Sequence, residues 1–336
     1  MLGLSIGDRA PPLVGTGAGG RFYAEDVQIG RPAILITLGA MEPDAAHASC
    51  ERLAAMRERL ARDIDLVALV PADARYAHAL AVHVSEGQDF AALTVDGGPA
   101  AVVLDRAWRV VHLGHFDAEA DLVELYARLR PQLAPEPPRT LTLPAPVLVI
   151  PNVMAPETCR ALIAHFETSP HGPGMMASVI DGAAAAKLDE GKKRRRDLEL
   201  TPADALHGEV VKVLAQRCAP EIKRAFQFDV AFADRILIAR YDDTGGYFRR
   251  HRDNLSPQTA FRDFAVSMNL NTPEYEGGEL VFPEFGDDRY NPPAGSALVF
   301  SASLLHEAAP VTRGRRYVAL SFLSGATAQA RMSHAA

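Results

Sequence analysis

Apolar residues in the first third of the chain recur in two different periods. Residues 33–37 and 64–70 are almost continuously apolar, which is typical of strands buried inside a parallel sheet. Between these two runs, residues 43–62 carry their apolar side chains at helical spacing. The pattern therefore predicts a strand, a helix and a second strand.

A second pair of strands and a closing helix follow in the pattern. Residues 99–104 and 109–113 predict a hairpin, and residues 118–129 predict the helix. Strand, helix, strand, hairpin and helix form a thioredoxin-like order, so we expect an α/β domain over residues 1–130. The opening segment 4–13 also resembles the start of a peroxiredoxin or redoxin domain.

A proline-rich segment separates this domain from the rest of the chain. Residues 131–146 contain six prolines and predict a stiff, extended linker. A chain of 336 residues is longer than one typical domain, so two domains are expected. The second domain is placed at residues 147–336, where residues 156–167 and 201–219 predict helices.

The segment 180–197 has a biased composition and is predicted to be a loop. It includes the basic run 192–196, KKRRR. Runs of like charge are usually solvated. The alternative interpretation is a mobile lid whose arginines meet an acidic or carboxylate-bearing substrate.

Two histidines and one aspartate in the last third of the chain form the strongest candidate site. His251 and Asp253 follow the strand-like segment 236–241 and a glycine turn, and strand alternation would send both side chains to one face. His306 comes shortly after the apolar run 297–300. Two imidazoles and one carboxylate suit non-haem Fe(II) and leave coordination positions open.

Each of these residues also has a structural interpretation. The tripeptide His-x-Asp is weak evidence by itself, because His115 and Asp117 form a second copy. A surface ion pair is the alternative for His251 with Asp253, and a core histidine is the alternative for His306.

Arg316 stands ten residues after His306 and opens the predicted strand 316–322. Two antiparallel strands with a short connection would place both residues on one barrel wall. A buried guanidinium can bind a carboxylate through two parallel hydrogen bonds. Arg315 is the rival candidate, since strand alternation lets only one of the two arginines point inward.

In order and spacing, these segments resemble the Fe(II)/2-oxoglutarate-dependent oxygenases, in particular their prolyl 4-hydroxylase-like branch. The matching stretches run from Tyr241 through the glycine turn to Asp253, over residues 275–283 (YEGGELVFP), and from His306 to Arg316. Together they cover roughly residues 145–325.

The resemblance implies a double-stranded β-helix (jelly-roll) core for the second domain. It implies His251, Asp253 and His306 as the iron ligands. The spacing in the family favours Arg316 as the partner of the distal carboxylate of 2-oxoglutarate, and Tyr241 would add a hydrogen bond to that carboxylate.

The implied activity is that of a dioxygenase that hydroxylates an unactivated C–H bond. O2 is the oxidant, 2-oxoglutarate is converted to succinate and CO2, and ascorbate is a candidate supporting reductant. The substrate could be an amino acid, a peptide or a small metabolite, and the sequence does not decide among these classes. It also does not decide whether the substrate bears a carboxylate. A homodimer is also left open.

Two other functions compete with this interpretation. The N-terminal resemblance raises a thiol-dependent peroxidase acting through Cys50. However, His47 stands where the peroxiredoxin pattern has threonine, and a helix N-terminus is the only visible device for lowering the pKa of the thiol. The first domain is therefore expected to be degenerate. The third interpretation is a non-catalytic binding scaffold.

Composition limits the partners and the compartment. The net charge of −7 and pI of about 5.9 give no general attraction to nucleic acids or anionic membranes. The mean hydropathy of −0.02, without a long apolar run, predicts no membrane span. Three cysteines without paired spacing, and an N-terminus unlike a secretory signal, lead us to expect a cytoplasmic protein.

Overall fold

The computed structural model describes residues 3–23, 29–39, 41–60, 62–74, 78–86, 90–116, 122–134, 137–138, 140–180 and 183–328. Contacts between residues divide the chain into two units, Met1–Pro138 and Arg139–Ala336. No helix within these described ranges is long and apolar enough to cross a membrane.

The first unit is built on one sheet. Its strands are β1 (Val14–Gly17), β2 (Gly20–Tyr23), β3 (Ala33–Thr37), β4 (Asp65–Val70), β5 (Ala81–Val84), β6 (Ala100–Leu104) and β7 (Val110–His115). They are arranged in the order β2-β1-β5-β4-β3-β6-β7. Strands β3, β4 and β5 run parallel to one another, whereas β6 is antiparallel to both β3 and β7.

Helices α1 (Pro43–Arg59) and α2 (Leu122–Leu133) pack on this sheet. Ile34 and Ile36 of β3 share an apolar cluster with Leu53 of α1 and Leu129 of α2, while Leu35 belongs to a separate cluster, as strand alternation requires. The order β3-α1-β4, β6-β7 hairpin and α2 confirms the elements predicted for this part of the chain. The β1–β2 hairpin and β5 had not been predicted.

Helix α2 extends farther than the sequence pattern predicted. It contains Pro131 and ends at Leu133, so the expected extended linker is wrong for residues 131–133. Leu129 and Leu133 are buried in the same apolar cluster, and this burial stabilises the last turn although Pro131 lacks the amide hydrogen of a helical residue.

The second unit consists of two larger sheets, two short strand pairs and three helices among its described residues. Its strands are β8 (Leu148–Ile150), β9 (Gly172–Pro173), β10 (Met176–Ile180), β11 (Ala183–Lys187), β12 (Lys193–Arg194), β13 (Arg196–Leu200), β14 (Phe232–Asp242), β15 (Tyr247–His251), β16 (Phe264–Asn269), β17 (Glu276–Gly277), β18 (Leu280–Val281), β19 (Arg289–Tyr290), β20 (Ala297–Ser301), β21 (His306–Ala308), β22 (Val311–Arg313) and β23 (Arg315–Ser324). The helices are α3 (Pro156–Thr168), α4 (Ala205–Val213) and α5 (Ala219–Phe226), with a π-helical turn at Leu214–Cys218.

The major sheet has the order β8-β20-β16-β23-β14-β13-β9, and the minor sheet has the order β12-β15-β21-β18-β19. One apolar cluster joins the helices to the major sheet, and another contains residues of both sheets. Strand β14 shows the alternation: Ile236 and Ile238 belong to the helix-side cluster, whereas Ala239 and Tyr241 belong to the cluster between the sheets. Two sheets of this kind, with helices on one outer face, fit the predicted jelly-roll core.

The segment 180–197 was predicted to be a loop, and this is wrong for residues 183–187, 193–194 and 196–197, which lie in strands, whereas residues 188–192 form a turn and residues 181–182 lie outside the described residues. β10 and β11 pair as a hairpin, β12 joins the minor sheet beside β15, and β13 joins the major sheet beside β14. The basic run hides this structure because charged residues carry no apolar alternation.

Candidate metal and co-substrate site

His251, Asp253 and His306 come together where two adjacent strands of the minor sheet, β15 and β21, end and begin. His251 ends β15 and lies opposite His306, which begins β21. Asp253 follows two residues after His251, and its amide donates a hydrogen bond of 2.9 Å to the carbonyl of Ala302. The carboxylate oxygens of Asp253 lie 3.5 Å from Nε2 of His251 and 3.4 Å from Nε2 of His306. One ligand atom from each residue lies within 4.8 Å of the others.

Backbone carbonyls orient both imidazoles. Nδ1 of His251 lies 2.8 Å from the carbonyl oxygen of Arg249, and Nδ1 of His306 lies 3.0 Å from that of Leu304. A carbonyl oxygen can only accept, so each Nδ1 carries the ring proton. Each Nε2 therefore points towards Asp253 with a free lone pair, the arrangement that a metal ligand requires.

The charge states also suit a metal. Burial raises the pKa of Asp253, but the imidazoles of His306 and His251 outweigh this effect and bring the pKa to about 2. Burial lowers the pKa of His306 to about 4, although the Asp253 carboxylate opposes it. Near neutral pH the carboxylate is ionised and His306 is neutral.

The second His-x-Asp copy has different surroundings. The His115 side chain is 64% exposed and lies 3.4 Å from a carboxylate oxygen of Asp96. Asp117 lies outside the described residues. His115 is thus a surface residue in an exposed ion pair, unlike His306.

Arg316 is buried beside Tyr241, its register partner on the neighbouring strand β14. Only 2% of Arg316 is exposed, and its guanidinium carbon lies 5.3 Å from the Tyr241 ring centroid. Its Nη2 donates a hydrogen bond of 3.3 Å to Oδ1 of Asn269, and its Nε has no hydrogen-bond partner among the described residues. No described carboxylate forms an ion pair with it, so this buried cation lacks a counter-charge.

Arg315 lies on the opposite face of β23. Its side chain is 56% exposed, with carboxylate oxygens of Glu167 and Asp242 at 3.8 Å and 3.5 Å. Alternation along the strand thus buries Arg316 and leaves Arg315 at the surface.

Lys193, Arg195 and Asp197 form a buried cluster. The sequence did not predict their burial, although a lid with substrate-binding arginines was the alternative interpretation of the basic run. The Arg195 side chain is 7% exposed, its Nε lies 2.7 Å from Oδ1 of Asp197, and its Nη1 donates a hydrogen bond of 2.9 Å to the Tyr241 hydroxyl. The Lys193 side chain is 4% exposed, and its Nζ lies 3.6 Å from Oδ2 of Asp197. Residues 193–197 are all charged, so the sequence shows no alternation that could have revealed which of these side chains are buried.

All of these groups line one cavity of about 670 Å³. Its lining includes His251, Asp253 and His306, the buried Arg316 with Tyr241, and the Lys193–Arg195–Asp197 cluster. This volume is typical of pockets that hold small molecules.

A family profile described as the 2OG-Fe(II) oxygenase superfamily matches residues 236–324. A PKHD-type hydroxylase of Paraburkholderia phymatum is 30% identical over 182 residues, which cover 51% of this chain and 74% of that protein. A PKHD-type hydroxylase of Pseudomonas putida is 30% identical over 172 residues, covering 44% of this chain and 75% of that protein.

Solved structures were also compared. A crystal structure of a Pseudomonas putida prolyl-4-hydroxylase aligns with 54% of this chain and 93% of that chain, at 18% identity and a TM-score of 0.43. The two PKHD-type hydroxylases and the family profile carry the assignment. The protein belongs to the 2OG-Fe(II) oxygenase superfamily and is an oxygenase related to the PKHD-type hydroxylases, which works with Fe(II), 2-oxoglutarate and O2.

Proposed function

We propose that His251, Asp253 and His306 hold Fe(II), and that Arg316 with Tyr241 holds the distal carboxylate of 2-oxoglutarate. In this arrangement the protein hydroxylates a C–H bond of an amino acid, a peptide or a small metabolite. Bound Fe(II) together with 2-oxoglutarate and O2 supplies the oxidising chemistry, in which 2-oxoglutarate is converted to succinate and CO2.

The observation that carries the proposal is that the three ligand side chains share one cavity with a buried, uncompensated arginine. Two neutral imidazole nitrogens and one ionised carboxylate are a donor set suited to non-haem Fe(II). A buried guanidinium without a carboxylate partner is costly unless an anion joins it. The dicarboxylate 2-oxoglutarate supplies that anion.

Tyr241 contributes a directed hydroxyl group. Its oxygen accepts the hydrogen bond from Nη1 of Arg195, so its own hydrogen is available to a second acceptor. Tyr241 also lies across from Arg316 on adjacent strands. The tyrosine hydroxyl and the guanidinium can therefore donate to the same carboxylate.

Aromatic side chains pack against both imidazoles. The Phe248 ring stacks on His251 with centroids 3.4 Å apart, and the Phe300 ring packs edge-on against His306 at 4.6 Å. A dry, preorganised environment strengthens electrostatic contacts inside the cavity.

The first unit is proposed to be a thioredoxin-like domain, from the order of its strands and helices, without peroxidase activity. Cys50 is fully buried, and burial raises the pKa of its thiol to about 11, with a smaller contribution from Glu51. A peroxidase needs the opposite, a thiol with a lowered pKa that peroxide can reach. This observation disfavours the thiol-dependent alternative.

Other aspects of the function remain predictions. They are a small-molecule or peptide substrate, a supporting role for ascorbate, the absence of a nucleic-acid partner, a homodimer and a cytoplasmic location.

Succinate formation tests the proposal. The full chain should convert 2-oxoglutarate to succinate only with both Fe(II) and O2 present, and His306→Ala should abolish this turnover. His115→Ala is the matched control, because it removes an exposed histidine from the other His-x-Asp copy. Equal turnover in native protein and His306→Ala would refute the proposed iron ligands.

A further inference from the structure

The Lys193–Arg195–Asp197 cluster has more positive than negative charge. Lys193 and Arg195 are both buried, and among the described residues Asp197 is the only carboxylate that pairs with either. Lys193 also donates a hydrogen bond of 2.5 Å to the carbonyl of Met175. Two buried cations therefore share one carboxylate.

The other arginines on the cavity wall are compensated. Each of them has its own carboxylate: Arg235 with Glu199, Arg250 with Glu307, Arg252 with Glu284, and Arg262 with Asp234. Lys192 also reaches the cavity, but it is partly exposed, so water can solvate its charge. The surplus buried charge is thus concentrated at Lys193 and Arg195, together with Arg316.

The proposed function accounts for Arg316 but not for this cluster. Fe(II) brings two positive charges and Arg316 brings one. These balance the three negative charges of the Asp253 carboxylate and of the two carboxylates of 2-oxoglutarate. With metal and co-substrate bound and Lys193 protonated, the cluster still leaves the cavity with one positive charge. A substrate with a single negative charge would neutralise it.

The cluster also has hydrogen-bond donors to spare. Nη1 of Arg195 uses one hydrogen for Tyr241, and Nη2 donates to Oδ2 of Asp197 at 3.2 Å. Nε lies 2.7 Å from Oδ1 of Asp197 but forms no hydrogen bond among the described residues. A guanidinium has five N–H donors and an ammonium three, so both side chains keep donors for a further acceptor. Hydrogen bonds between such cations and a carboxylate are among the stronger ones in proteins.

Burial lowers the pKa of Lys193 to about 7, with Arg195 and Arg235 acting in the same direction and Asp197 opposing them. A carboxylate bound beside Nζ would restore the charged form.

Two exposed apolar side chains lie among the charged residues at the rim of the cavity. Met175 is 43% exposed and Leu255 is 75% exposed, and both line the cavity. Exposed apolar side chains next to a charged interior suit a ligand with one charged end and an apolar body.

We propose that Lys193 and Arg195 form a second anion-binding subsite, which holds the carboxylate of the substrate while its apolar body lies against Met175 and Leu255. The substrate class is then a small apolar monocarboxylic acid. This inference rests on the proposed function, because it assigns the remaining charge of the same cavity.

Direct binding tests the subsite without turnover. The full chain is loaded with Mn(II) and 2-oxoglutarate and titrated calorimetrically with N-acetyl-L-leucine, or with its neutral primary amide. The acid should bind at least about tenfold more tightly than the amide. Lys193→Met and Arg195→Met should each remove this preference, whereas the control Arg250→Met, at an exposed and paired arginine, should keep it.

Affinities for Mn(II) and 2-oxoglutarate, measured on the same samples, separate the two proposals. If native protein fails to bind them, the proposed function fails. If native protein binds Mn(II) and 2-oxoglutarate but binds the acid and the amide equally well, the subsite is refuted. It is also refuted if such protein binds neither the acid nor the amide. A further refutation would be that the acid competes with 2-oxoglutarate for binding, or that Lys193→Met weakens the binding of 2-oxoglutarate rather than that of the acid. If Arg195→Met does not fold, the binding preference of Lys193→Met alone decides whether the subsite exists.

Discussion

Phe248 and His251 lie on the same face of β15 although they are three residues apart, with ring centroids 3.4 Å apart. Regular alternation would place them on opposite faces. Phe248 pairs with Ala308 of β21, and His251 pairs with His306. Phe248 and His251 are three positions apart and their partners only two, so β15 contains one extra residue between them. A β-bulge of this kind re-aims side chains and is often found beside active sites. Here it brings His251 opposite His306.

Removing the Arg316 guanidinium should weaken 2-oxoglutarate binding. We expect Arg316→Met to raise the dissociation constant about 100-fold, corresponding to about 3 kcal/mol for a buried charge pair. Calorimetric titration of the Mn(II)-loaded protein measures this. Arg315→Met is the matched control and should change the affinity less than about threefold, since exposed ion pairs contribute little. A larger effect at Arg315 would show that the rival arginine holds the co-substrate.

A methyl group at Gly278 should disturb the same arginine. A Cβ there would lie 2.7 Å from Cδ of Arg316 and 2.9 Å from Cγ2 of Val311, and the φ angle of 74° is unfavourable for other residues. Gly278→Ala should therefore lower both stability and 2-oxoglutarate affinity. Gly286→Ala separates the two causes, because Gly286 has a φ angle of 133° but no atom within 4 Å of an added Cβ. Unchanged 2-oxoglutarate affinity in Gly278→Ala would contradict the contact argument.

Lys193 should make the stability of the protein rise with pH. Its pKa is about 7 in the folded protein, and the ordinary value is 10.5. Between these values the unfolded chain binds more protons, so the free energy of unfolding increases as the pH rises. From about pH 7 to about pH 9 the gain from this lysine should be roughly 2 kcal/mol.

Urea unfolding of the native protein and Lys193→Met at both pH values measures this gain. Groups other than Lys193 titrate equally in the two proteins, so the difference between their pH dependences isolates the lysine. If the free energy of unfolding changed equally with pH in both proteins, the environment of Lys193 would not disfavour its charged form.

Cys50 should be unreactive in the folded protein. With a pKa of about 11, roughly one thiol in ten thousand is ionised near neutral pH, and its side chain is fully buried. Iodoacetamide should leave Cys50 unmodified in native protein and modify it after unfolding in urea, as peptide mass spectrometry can show. Rapid and selective oxidation of Cys50 by peroxide would instead support the peroxidase interpretation.

The sequence predicted the parts of the site that depend on local spacing. His251, Asp253, His306 and Arg316 each follow or open a recognisable apolar strand, and alternation explains why Arg316 rather than Arg315 is buried. The pairing of these strands is not visible in one sequence, so the resemblance to a family was needed to bring the four residues together.

The parts that the sequence did not predict depend on tertiary burial. Lys193 and Arg195 stand in a run of charged residues, which is typical of a solvated loop. Here Asp197, the Met175 carbonyl and the Tyr241 hydroxyl compensate for part of the cost of burial, and all three come from outside the basic run. Likewise, the helix that continues through Pro131 depends on the buried Leu133 rather than on local preference.

Anaerobic absorption spectroscopy tests the central claim most directly. When Fe(II) and 2-oxoglutarate are added to the native protein without O2, a weak visible metal-to-ligand charge-transfer band should develop. Asp253→Ala and His306→Ala should show no band, and Arg316→Met should need much more 2-oxoglutarate to reach it. Absence of the band from native protein, or a band of unchanged strength in Asp253→Ala, would contradict an iron centre formed by these side chains.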